Sequence, residues 1–92
     1  MFEDARYDRL KYVILRKLHR KAMWGGTYRP FEVAISGIPS HEKGFAKDVA
    51  NDLIKKEWLL SHKGGHAVSL NPGRKQEIED FIKKHAFLDF KP

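Results

Sequence analysis

The sequence predicts an α+β fold: a three-helix core, a short two-stranded hairpin and a C-terminal helix, all in one domain spanning residues 1–92. Three observations carry this reading. Apolar residues recur at helical spacing in three separate stretches. Between residues 58 and 72, two short apolar runs flank Gly64-Gly65, a pair that takes the positive φ of a tight hairpin turn without steric cost. Asn71-Pro72 then marks a new helix start, since Asn caps and Pro fits the first helical position.

The first helix is expected over about residues 3–23. Tyr7, Leu10, Ile14, Leu18 and Ala22 share one stripe, widened by Val13 and Leu15. Glu3, Asp4 and Asp8 lie near its positive end and Arg16, Lys17, Arg20 and Lys21 near its negative end, as the macrodipole favours. That placement gives the basic cluster a structural reason, beside a phosphate-binding one. Gly25-Gly26 is expected to supply the left-handed turn that ends this helix. Arg29-Pro30 opens a short second helix with Phe31, Ala34 and Ile35 on its apolar face, stopped by Gly37-Ile38-Pro39. A strand over Phe31–Ser36 is the rival, because Val33 and Ile35 are β-branched.

Ser40 is the expected N-cap of a third helix running to about Glu57. Phe45, Ala46, Val49, Ala50, Leu53 and Ile54 face inward, and the alanines allow close packing. In the hairpin, a two-residue Gly64-Gly65 turn pairs Lys63 with His66, Ser61 with Val68 and Leu59 with Leu70. Leu59, Val68 and Leu70 then share the core face, leaving Trp58 and Leu60 in need of cover. Ile78, Phe81, Ile82 and His85 line the last helix, and Phe87, Leu88 and Phe90 form an apolar tail. That tail, with the outer side of the first helix, is a candidate homodimer surface. Folding back over Trp58 and Leu60 is the alternative.

Composition narrows the function. The chain has no cysteine, which excludes disulfides, thiolate metal sites and cysteine nucleophiles. Its acidic start, Met1-Phe2-Glu3-Asp4, and the lack of a long apolar run argue against a signal peptide or a membrane span, so a cytoplasmic location is expected. The five histidines fall at no recognised ligand spacing, and no metal or other cofactor is expected. The serines sit in no nucleophile motif and no phosphate-cradling loop is present, so catalysis is not expected. The net charge of +6 favours polyanionic partners. It is uneven: residues 1–30 carry +5, whereas residues 31–57, which include the third helix, carry −1.

The elements follow the order helix, short helix, helix, hairpin, helix, joined by Gly25-Gly26-Thr27-Tyr28-Arg29-Pro30-Phe31-Glu32, by Gly37-Ile38-Pro39-Ser40-His41-Glu42-Lys43-Gly44 and by Val68-Ser69-Leu70-Asn71-Pro72. With these segments the chain resembles the winged helix-turn-helix superfamily and, more narrowly, small archaeal winged-helix proteins whose function is unassigned. The resemblance spans nearly the whole chain. It implies a DNA-binding transcriptional regulator, with the third helix in the major groove and the hairpin as a wing on the backbone. Lys43, Lys47 and Asn51, four residues apart, share an outward stripe suited to base edges, and Ser40 and His41 stand at its start. His62, Lys63 and His66 surround the wing tip, and the basic first helix would add electrostatic grip. Against this, Glu42, Asp48 and Asp52 nearly neutralise the third helix, and the wing carries a single lysine. A protein-interaction module in a larger assembly and an RNA-binding scaffold are therefore the alternatives.

Overall fold

Residues 5–89 are described by a computed structural model. The stripe of the first helix forms α1, Ala5–Arg20, and buries Tyr7, Leu10, Ile14, Leu15 and Leu18. Its expected start at residue 3 lies outside the described residues. After α1 come β1 (Arg29–Pro30), α2 (Phe31–Ile35), a 3-10 turn (Ser40–Glu42) and α3 (Lys43–Lys55). The hairpin strands β2 (Leu59–His62) and β3 (Ala67–Leu70) follow, and a turn at Pro72–Arg74 leads into α4 (Lys75–Lys84). Among the described residues the fold is α+β: four α-helices and a three-stranded antiparallel sheet in the order β1-β3-β2. Among the described residues, no helix is long and apolar enough to cross a membrane.

The expected hairpin register is present, with Leu59 opposite Leu70 and Ser61 opposite Val68. Gly64 and Gly65 have φ of 66° and 97°, and the His66 N–H closes the turn on the Lys63 carbonyl at 3.3 Å. Leu59, Val68 and Leu70 are sealed in the core, as alternation requires. The opposite face departs from the expected pattern. Ala67 and Ser69 are also buried, because the sheet has a third strand and residues 23–25 lie against it. Arg29 pairs with Val68 and Pro30 with Ala67, while the Leu70 N–H and carbonyl bond to Met23 and Gly25.

Three other expectations need correction. The first helix ends at Arg20, before Gly25: Ala22 takes the left-handed conformation at φ 56° and starts the exit. Ser40 caps nothing with its side chain, because Pro39 holds the cap position and the Glu42 N–H bonds to the Pro39 carbonyl. Arg29-Pro30 does not open the second helix but forms strand β1, while Phe31–Ile35 is helical as expected and the rival strand reading falls. The Asn71-Pro72 start is as expected: Asn71 Oδ1 accepts the Gly73 N–H at 2.9 Å with Pro72 in the first position.

The core lies where α1, α2, α3 and α4 meet the inner face of the sheet, and Val49, Ala50, Leu53 and Ile78 reach zero exposure there. Trp58 is covered by α4, its ring standing edge-on to Phe81 at 6.1 Å. Phe87 does not fold back, at 68% exposed, and Phe90 lies outside the described residues.

Candidate nucleic-acid interface

The sequence-predicted residues divide into three groups in space. Lys47 and Asn51 project from consecutive turns of α3 and face the same groove as the hairpin tip. With Phe31, Glu32, Gly65 and His66 they line a groove of about 250 Å³. Its geometry is held by the backbone: the Phe31 N–H donates to the His66 carbonyl at 2.8 Å, fastening the hairpin tip to the start of α2. Ser40, His41 and Lys43 are exposed at the leading end of α3 and outside that lining. His62 and Lys63 form a third group at the hairpin. No group of three or more His, Cys, Asp or Glu side chains among the described residues is placed to hold a metal ion.

The acidic residues of the third helix are largely engaged with α1. Arg9 grips Glu42 with both guanidinium nitrogens, at 3.2 and 2.8 Å. That bond holds the Glu42 carboxyl below its usual range and raises Arg9. Asp52 accepts the Tyr7 hydroxyl at 2.7 Å and the Lys56 ammonium at 3.0 Å. Burial pushes the Asp52 carboxyl up, but these two partners outweigh it and the net direction is down. Asp48 remains exposed beside Asn51 and Lys55. No carboxylate of the described residues pairs with Lys43 or Lys47. The outward stripe of α3 is therefore more positive than the residue count implies, although Glu32 stands within the groove.

The cations of α1 follow the opposite course. Lys17 donates to the Ser36 carbonyl and to Ser36 Oγ, closing the exposed end of α2. Lys11 lies over Trp58 at 3.9 Å and Phe81 at 4.4 Å, and desolvation there lowers its pKa despite the nearby Asp8. Arg6 stacks on Phe45 at 4.5 Å. Together with Arg9, these residues fasten α1 to its neighbours.

The chain matches no family model, no curated protein and no solved structure.

His62 is occupied by internal contacts. Ser69 Oγ, fully buried, donates to the Gly25 carbonyl at 2.7 Å, so its lone pair must accept from His62 Nε2 at 2.9 Å. The proton of neutral His62 is thereby assigned to Nε2. The imidazole stacks on the Tyr28 ring with centroids 4.4 Å apart and planes within 19°. The sequence gives Tyr28 no role, because it stands between the Gly25-Gly26 turn and a helix expected to open at Arg29-Pro30. Only a third strand beside β3 carries it across to His62, and a two-residue strand containing proline leaves no periodic signal.

Proposed function

We propose that this protein is a winged-helix DNA-binding protein acting as a transcriptional regulator, with α3 in the major groove and the β2–β3 hairpin as its wing. The observation that carries the reading is the groove that Lys47 and Asn51 line together with Gly65 and His66 of the hairpin tip. A groove-reading helix needs long polar side chains on one stripe and a neighbouring element to grip the backbone. Lys47 and Asn51 suit base edges, while His66, Lys63 and Lys43 lie where phosphates flank such a helix. The pairing of Glu42 and Asp52 with α1 supports it further, since acidic residues aimed at phosphate would weaken binding.

Fluorescence anisotropy with mixed-sequence duplex DNA tests this. The expected outcome is binding that weakens steeply as salt rises, and Lys47→Glu lowers affinity by about ten-fold or more at low salt. Salt-insensitive binding, or a Lys47→Glu variant that binds like the parent, would sink the proposal. A second reading, a protein-interaction module, is favoured by Phe87, which stands 68% exposed after α4. A stoichiometric protein partner lost on Phe87→Ser, with no DNA retained, decides for that reading.

A further inference from the structure

Tyr28 and Phe87 are the large apolar side chains exposed among the described residues, and only Tyr28 has a built setting. One face of its ring rests on His62, whose orientation is fixed through Ser69 to the Gly25 carbonyl. The phenol is thus backed by a short chain of hydrogen bonds reaching a buried strand, while 38% of the residue meets solvent. One cation attends it: the Lys63 ammonium hovers at 5.9 Å from the ring centroid. That distance is at the outer limit of a cation–π contact, so an incoming ring can displace the ammonium.

An exposed aromatic ring on a rigid backing, with a cation beside it, is the arrangement on which an unpaired nucleobase stacks while its phosphate is neutralised. We infer that Tyr28, backed by His62 and attended by Lys63, is a stacking platform for an unpaired nucleobase next to a DNA duplex. The position suits this. Tyr28 is three residues from Phe31 in the α3 groove, a span of at most about 11 Å. A strand leaving a duplex seated in that groove can reach the ring. The inference rests on the DNA-binding reading for its polymer, and adds a preference for overhangs, forks or distorted sites over uniform duplex.

The test titrates the full chain into a labelled blunt duplex, the same duplex with a short thymine overhang, and the thymine strand alone. The overhang is expected to raise affinity about ten-fold, with Tyr28→Leu removing that gain while blunt-duplex affinity stays within about two-fold. Tyr28→Phe, which keeps the ring, is expected to keep the gain and shows that aromaticity rather than the hydroxyl is needed. Equal affinity for blunt and overhang duplexes, or a gain that survives Tyr28→Leu, overturns the platform and leaves the groove reading standing. Tyr28-dependent binding of the overhang or single strand with no blunt-duplex binding supports the platform and removes the groove reading. Binding to none of the three overturns both.

Discussion

Tyr7 shows how one hydroxyl joins two helices. It projects from α1 at 4% exposure and donates to Asp52 of α3, forty-five positions away in the chain. Burial is the main cause that pushes the Tyr7 phenol well above its ordinary value, and the bond to the Asp52 carboxylate adds to it. The neutral phenol is thus the folded form. Its contribution is fully present below about pH 10 and is lost only as pH rises further. Asp52 sets the acid side: its pKa is lowered, so its contribution is present above about pH 4 and is lost as pH falls through the folded value. Tyr7→Phe keeps the packing and deletes the bond. Asp52 retains Lys56, so the expected cost at neutral pH is about 1–2 kcal/mol, read by urea unfolding. Repeating the unfolding below pH 4 gives the check on cause, because the variant is expected to lose less stability there than the parent. An equal loss would place the acid sensitivity elsewhere.

At the scale of the element, α1 and α3 end in the same way, and neither ending uses glycine. The Ala22 N–H bonds to the His19 carbonyl and the Met23 N–H to Leu18; the Glu57 N–H bonds to Ile54 and the Trp58 N–H to Leu53. Both are Schellman closures, with Ala22 at φ 56° and Glu57 at φ 66° in the position glycine usually fills. A side chain in that conformation costs roughly 1–2 kcal/mol, partly offset by the greater chain entropy glycine loses on folding. Ala22→Gly and Glu57→Gly are each expected to stabilise by about 0.5–1 kcal/mol, a rise of roughly 2–8 °C in melting temperature. A fall on scanning calorimetry would mean that these side chains hold the exits in a way the backbone alone does not. These endings also separate what was legible in the sequence from what was not. The Gly64-Gly65 turn, the Leu59–Leu70 register and the Asn71-Pro72 start were legible because each depends on a residue type with a narrow conformational preference. The exits at Ala22 and Glu57 were not, since there tertiary packing overrides an ordinary residue's preference and leaves no local mark. In the candidate site, the stripe of Lys43, Lys47 and Asn51 follows from helical spacing alone. The departure of Glu42 and Asp52 toward α1, and the stacking of Tyr28 on His62, depend on contacts at long sequence separation that no periodicity reports.

For the whole molecule, these contacts change what a net charge of +6 means. Most of the excess lies before residue 31, yet Arg6, Arg9, Lys11 and Lys17 are engaged with Phe45, Glu42, Trp58 and Ser36. Engaged cations still contribute to the long-range field that draws a polyanion in. They do not release counterions at a contact unless they touch phosphate. On the DNA-binding reading proposed above, the cations expected to do so are Arg29, Lys43, Lys47 and Lys63, all exposed on or beside α3 and the hairpin. Four such contacts predict a slope of about −3 to −4 for the logarithm of the duplex association constant against that of the salt concentration. Lys47→Gln is expected to flatten the slope by about 1. Lys11→Met, which keeps an unbranched apolar stem beneath Trp58 and Phe81, is expected to leave it unchanged. The opposite result, a slope that responds to Lys11 and ignores Lys47, moves the contact surface onto α1 and turns the ties between α1 and its neighbours into groups that must open for binding.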